Sequence, residues 1–258
     1  MTMANSPHSS SNTDSARRES KLLKMIRNPK NQRRVGGKLS ERAFLWALSK
    51  IQRVLLYGHK ETAEVKLISQ MQKGRVSILT AYECYTILSC AKGFKNRPGA
   101  FLEVGCYQGG STKLICEMKG SDRPFYVCDT FEGLPESTEK DKGVHRKAQY
   151  SCSLESVSAY LSAYENVHFV KGFFPDSAAG MIPEDIQFAF VHLDVDLYES
   201  TIKSLEYVLP RLVSGGVVLS HDYSILAGVK AAFHEFLEVH PECVLIELPS
   251  TQCMLIKP

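Results

Sequence analysis

Two short segments hold groups that could bind a cation or move a proton. In HLDVDLYEST, His192 to Thr201, Asp194 and Asp196 follow the apolar run Phe188 to Val191. Two residues apart in an extended chain, their side chains point to the same side. Carboxylates so close repel unless a proton or cation lies between them. One can then bind metal while the other acts as a base; the plainer alternative is one acid capping the following helix. In SHDY, Ser220 to Tyr223, His221 and Asp222 end the next apolar run. A His-Asp pair is weak evidence alone, but with Asp194 on a neighbouring strand it makes a carboxylate–imidazole–carboxylate set suited to a divalent metal.

A third segment, FLEVGCYQGGS, Phe101 to Ser111, has the form strand, glycine turn, helix. Gly105 allows a sharp turn, and Gly109 and Gly110 would let a ligand approach the free N–H groups where Ser111 opens a helix. The spacing G-x-x-x-G-G is not the G-x-G-x-x-G of nicotinamide enzymes. Glu103, just before the turn, is placed to face an ammonium group and would repel a pyrophosphate, which suits the amino-acid part of S-adenosylmethionine. A tight turn with no ligand is the alternative. Asp129 closes the run Phe125 to Cys128 and is placed to bind ribose hydroxyls; both cofactor classes use such an acid, so it does not choose between them. The polar stretch Glu136 to Tyr150 is long for a connection and suits a lid. Within it His145 is an alternative base or a plain loop residue. His192 reads as packing beside the sheet, Trp46 as core or interface, and nothing near Cys106 suggests a nucleophile.

These residues need a frame. Apolar residues at helical spacing predict helices over Ser40 to Tyr57, with Ser40 as N-cap, Glu61 to Gln72 and Thr80 to Ala91. Residues 39–96 thus read as an N-terminal helical layer with no catalytic-looking cluster. After Arg97-Pro98-Gly99 short apolar runs alternate with helical stretches: strands at Ala100 to Val104, Phe125 to Cys128, Val167 to Val170, Phe188 to Leu193, Val217 to Ser220, Val244 to Leu248 and Cys253 to Ile256. Helices fall at Ser111 to Met118, Leu154 to Tyr164, Ser200 to Leu209 and Val229 to Val239. The alternation predicts an α/β, doubly wound, mostly parallel seven-stranded sheet over residues 97–258. Only Pro249 to Gln252 separate the last two strands, which permits a hairpin and not a crossover. A parallel sheet closed by a C-terminal antiparallel hairpin marks the class I methyltransferase variant of this architecture.

Composition narrows the class. The chain has 258 residues, 44% of them hydrophobic, enough to bury a core without disulfides or structural metal. No apolar run approaches the length of about 20 residues that a spanning helix needs, and MTMANSPHSSSNTDS lacks the apolar region of a secretory signal. The 8 cysteines form no CxxC pair and read as reduced thiols, so a cytoplasmic protein is expected. The net charge of +3 hides an asymmetry: residues 1–60 hold 13 Lys+Arg against 3 Asp+Glu, and the remainder 18 against 25. Residues 1–38 read as a disordered basic tail. It could touch anionic lipid, nucleic acid or an acidic partner, but it offers no aromatic residue before Phe44 to stack bases, so a solvated tail without nucleic acid is expected.

Four motifs carry a resemblance. DTFEGLP (Asp129 to Pro135), GFFPDS (Gly172 to Ser177), HLDVDLYEST and PRLVSGGVVLSHDY (Pro210 to Tyr223) resemble, in order, the macrocin O-methyltransferase family of natural-product tailoring enzymes. The likeness covers residues 97–258. It implies S-adenosylmethionine, a divalent metal, usually magnesium, and methylation of one hydroxyl of a chelating pair on a small molecule such as a sugar, polyketide or phenol. It places the metal acids on Asp194, His221 and Asp222 and the base on Asp196. The family usually has Asp-Asp where this chain has His221-Asp222. An imidazole suits manganese, iron, zinc or nickel better than magnesium, so the metal differs, His221 is not a ligand, or the site has decayed. A nicotinamide-dependent oxidoreductase and a non-catalytic S-adenosylmethionine-binding protein are the rival readings, and a homo-oligomer is left open.

Overall fold

The computed structural model describes residues 39–75, 78–143 and 145–258; the basic tail, residues 1–38, lies outside them. Three helices come first: α1 (Leu39–Tyr57), α2 (Thr62–Gly74) and α3 (Ala81–Phe94). Helix α1 begins one residue before Ser40, so Ser40 is inside the helix and is not its cap. Helix α3 is capped as its sequence T-x-x-E suggests: Thr80 Oγ1 accepts from Glu83 N, and Glu83 Oε2 accepts from Thr80 N at 2.7 Å, a reciprocal pairing that satisfies two helix-end donors.

The sheet follows: β1 (Ala100–Val104), α4 (Gly110–Lys119), β2 (Phe125–Asp129), α5 (Leu154–Tyr160), β3 (Val167–Lys171), β4 (Phe188–Leu193), α6 (Tyr198–Arg211), β5 (Leu212–Ser220), α7 (Ala227–Val239), β6 (Val244–Glu247) and β7 (Cys253–Ile256). Its order is β3-β2-β1-β4-β5-β7-β6. The first five strands run parallel, and β7 enters antiparallel between β5 and β6. The expected doubly wound sheet with its C-terminal hairpin is therefore present. Every residue of β1 and β4 is buried, which is why both read as mostly apolar runs; the edge β3 is partly exposed and the edge β6 largely so.

One hydrophobic core lies on each face. Leu102, Val191, Leu205 and Phe233 belong to the core under α6 and α7. Phe101, Phe190, Ile115 and Ile87 belong to the other, under α3 and α4. The chain order reverses between β1 and β4, so their carboxyl ends open a crevice where such sheets take ligands.

Two elements differ from expectation. Strand β5 starts at Leu212, so Ser214-Gly215-Gly216 is an irregularity within the strand and not a turn before it. Gly215 is left-handed (φ +68°), and a side chain there would run into the Arg97 guanidinium, which donates to Ser214 O at 3.0 Å. Helix α5 stops at Tyr160 and not at Tyr164.

Candidate active site

A cleft of about 950 Å³, open solvent included, lies over the ends of β1, β2 and β4. Gly105, Gly110, Ser111, Asp129, Asp194 and Asp196 line it, with Tyr107, Leu134, Tyr150 and Phe173 among their neighbours. Gly105 has φ +87°, and a Cβ would collide with the Asp194 carbonyl oxygen. The meeting of two strand ends by itself requires glycine there. Gly109 does not line the cleft: it is the left-handed N-cap of α4 (φ +78°), and a Cβ would press on Val157 at 3.1 Å. The expectation that Gly109 makes room for a ligand is thus corrected to a packing role against α5.

Glu103 is also corrected. Its side chain points into the protein and not into the cleft, fully buried. It accepts a short hydrogen bond of 2.5 Å from Thr112 Oγ1 on α4 and lies 2.9 Å from His192 Nδ1 on β4. It has no route to a ligand ammonium; it ties β1 to its neighbours, and His192 packs in the sheet as expected. Asp129 is at the cleft, but its oxygens serve the backbone: Oδ2 accepts from Cys106 N (2.9 Å) and Tyr107 N (3.0 Å), Oδ1 from Phe131 N (2.7 Å). Burial raises its pKa against the opposing pull of those N–H groups. A carboxylate offers about four lone-pair positions, so capacity for a ligand hydroxyl remains.

Asp194 and Asp196 both reach the cleft, though not through an extended chain. Strand β4 ends at Leu193, and Asp196 adopts the left-handed region (φ +60°), as does Asp222 (φ +59°). Such backbone is uncommon outside glycine and concentrates at functional sites. Burial first, then the negative charges of Asp222 and Asp194, push the Asp196 carboxyl well above the ordinary range.

Asp194, His221 and Asp222 come together as expected, with one potential ligand atom from each within 4.8 Å of the others. His221 Nδ1 is 2.9 Å from Asp222 Oδ1 and 3.4 Å from Asp194 Oδ1. Nevertheless this buried nitrogen makes no hydrogen bond. A buried imidazole nitrogen facing one oxygen from each of two carboxylates is a donor set that fits a divalent cation. Burial lowers the pKa of His221, but Asp222, Asp194 and Glu83 outweigh it and raise the value well above 6.5. For Asp194 burial is outweighed by His221, which holds the carboxyl below its ordinary value.

His145 is not among the residues that line the cleft; it is largely buried, within reach of the charges of Asp222 and Asp194. The loop carrying it is fastened: Leu134 N donates to Gln149 O and Ala148 N to Leu134 O. Trp46, 60% exposed, is not core. The sequence reading missed Glu83. It sits in the helical layer that was expected to hold no catalytic-looking cluster, and its Oε1 lies 3.6 Å from His221 Nε2. Its T-x-x-E signal is fully explained by capping, so nothing local marked a second use. The 8 cysteines are all free, and among the described residues no helix is long and apolar enough to cross a membrane.

The sequence profile described as Macrocin-O-methyltransferase (TylF) matches residues 90–244. A relative from Streptomyces olivaceus, 8-demethyl-8-(2,3-dimethoxy-alpha-L-rhamnosyl)-tetracenomycin-C 4'-O-methyltransferase, is 34% identical over 154 residues, 54% of this chain and 58% of that protein. Mycinamicin III 3''-O-methyltransferase of Micromonospora griseorubida is 30% identical over 160 residues, 55% of this chain and 62% of that protein. The chain spans about three-fifths of the length of the curated relatives it matches. Among solved structures, the O-methyltransferase NovP superimposes with a TM-score of 0.64 at 23% identity, covering 83% of this chain and 98% of that one.

Proposed function

The chain belongs to the macrocin O-methyltransferase family, and from that premise we propose that it moves a methyl group from S-adenosylmethionine to a hydroxyl of a small molecule, with a divalent metal as cofactor. One observation carries the reading. Asp194 lines the cleft and also belongs to the Asp194–His221–Asp222 cluster, so a cation site adjoins the space where a cofactor and an acceptor would meet.

In this reading Gly105, Gly110, Ser111 and Asp129 hold S-adenosylmethionine, with Glu103 and Gly109 supporting that wall from behind. Asp194, His221 and Asp222 hold the metal, which when bound supplies positive charge that lowers the pKa of the reacting hydroxyl. Asp196 receives the hydroxyl proton on its carboxylate. Burial and the charges of Asp222 and Asp194 make it a stronger proton acceptor than an ordinary carboxylate. The cleft walls exclude water and align acceptor with methyl donor, and such positioning can supply about 7–11 kcal/mol. The relatives' names point to sugar hydroxyls of antibiotic-type glycosides, so the acceptor proposed is a sugar hydroxyl with an oxygen neighbour.

The test is methyl transfer from radiolabelled S-adenosylmethionine to a panel of deoxysugar glycosides, with and without chelator. Labelled product that disappears with chelator and returns with manganese supports the reading. Binding of NADH in preference to S-adenosylhomocysteine would sink it.

A further inference from the structure

We propose that Glu83, acting with Thr251, is a positioning residue for the metal site: it holds the Nε2–H edge of His221 and so leaves the Nδ1 lone pair facing Asp194 and Asp222. The inference rests on the metal reading above and deepens it.

Three separate elements meet at this imidazole. His221 follows the last residue of β5, Glu83 is in the first turn of α3, and Thr251 lies between β6 and β7. His221 is 7% exposed and Glu83 4%. Thr251 Oγ1 donates to Glu83 Oε1 at 2.7 Å and lies 3.4 Å from His221 Nε2. The Thr251 proton is committed to the carboxylate, so its oxygen presents a lone pair to Nε2. The nitrogen facing that lone pair must carry a hydrogen. A metal ligand is a neutral imidazole, with one donor and one acceptor; with the hydrogen kept on Nε2, the proton a cation displaces is the one on Nδ1, the nitrogen beside Asp194 and Asp222.

Glu83 is itself held rigid. Its other oxygen accepts from Thr80 N at 2.7 Å and Thr80 Oγ1 at 2.8 Å, so the capping of α3 fixes the carboxylate that faces His221. Metal-ligating histidines ordinarily give their second N–H to such an acceptor, which sets tautomer and ring orientation. Here the acceptor is Thr251 Oγ1, and Glu83 of the helical layer holds its proton away from the ring. An Asp at position 221 would instead set a carboxylate against Glu83, which explains why an imidazole suits this place in this chain.

The test is manganese binding by the full chain, followed by electron paramagnetic resonance of the free ion, with no substrate present. The variants are Glu83→Gln, Thr251→Val, His221→Asp and the double variant Glu83→Gln/His221→Asp. Gln keeps the capping of α3, since Glu and Gln both serve at that position; melting curves check the fold. The expected result is affinity lowered about 10–100-fold by Glu83→Gln and lowered less by Thr251→Val. In the His221→Asp background Glu83→Gln should cause no loss or a gain, because it removes a repelling charge. Wild-type affinity in both Glu83→Gln and Thr251→Val overturns the inference, as does an equal loss in the His221→Asp background, which would make Glu83 a scaffold residue only. Should Glu83→Gln fail to fold, wild-type affinity in Thr251→Val overturns it alone. A wild-type protein that binds no manganese overturns the metal reading and the inference with it.

Discussion

Asp141 Oδ1 accepts the backbone N–H of Tyr198 at 2.7 Å, so the loop over the cleft is fastened to the first turn of α6. The other oxygen accepts from Thr138 N and Oγ1 at 2.7 and 2.8 Å. A buried carboxylate at a helix N-terminus satisfies an end donor and meets the favourable end of the helix dipole. The lid-length stretch is thereby a tethered wall of the cleft. Asp141→Ala should lower stability by about 0.5–2 kcal/mol and speed hydrogen exchange across residues 134–150. Unchanged exchange in that window would show that Leu134 and Gln149 hold the loop without Asp141.

Glu103 should matter to the fold and little to the cofactor. Glu103→Gln disturbs a buried pair of contacts with Thr112 and His192, at a cost of about 1–3 kcal/mol. The melting temperature should fall while affinity for S-adenosylhomocysteine stays within a few-fold. The reverse pattern, an intact melt and lost binding, would return Glu103 to the ligand.

A pH signature should come from His145. Burial holds its pKa below the ordinary 6.5, against the opposing charges of Asp222 and Asp141. Between the lowered value and 6.5 the unfolded chain binds a proton that the folded chain does not, so stability rises with pH across that window and is lost as pH falls through it. His145→Gln should flatten that part of the stability–pH curve relative to wild type, leaving it unchanged above pH 7. Parallel curves for the two proteins would remove His145 as the cause.

What the sequence revealed follows from how far each cause lies along the chain. The strands β1 and β4 were legible because burial on both faces leaves a mostly apolar run, and the hairpin because Pro249 to Gln252 is too short for anything else. The Gly215 irregularity was not, because the Arg97 guanidinium that packs against it lies 117 residues from Ser214. The metal-site residues Asp194, His221 and Asp222 were legible as strand-end residues, but the left-handed turn at Asp196 was not. Glu103 was misdirected because its partners, Thr112 and His192, are set by packing across β1, β4 and α4. Glu83 stayed hidden because capping accounts for it locally, while its second contact, with Thr251, lies 168 residues away.

The last prediction separates base from metal. Asp196 lies outside the Asp194–His221–Asp222 set, so Asp196→Asn should leave manganese affinity nearly intact while lowering turnover by about 10²–10⁴-fold, the usual loss for a general base. A base must be deprotonated to act, and burial with the charges of Asp222 and Asp194 raises this carboxyl. Turnover should therefore climb with pH along a limb above the ordinary carboxylate range, and that limb should vanish in Asp196→Asn. A cation in the cluster offsets the neighbouring negative charge, so the limb should move to lower pH as metal is added. Nitrogen donors favour the later metals; manganese, iron or nickel should thus restore chelator-treated protein at lower concentration than magnesium, and His221→Asp should shift the preference toward magnesium. Full turnover in excess chelator, with no metal by elemental analysis, would leave Asp196 acting without a cation and would assign the imidazole of His221 to charge balance among its carboxylates.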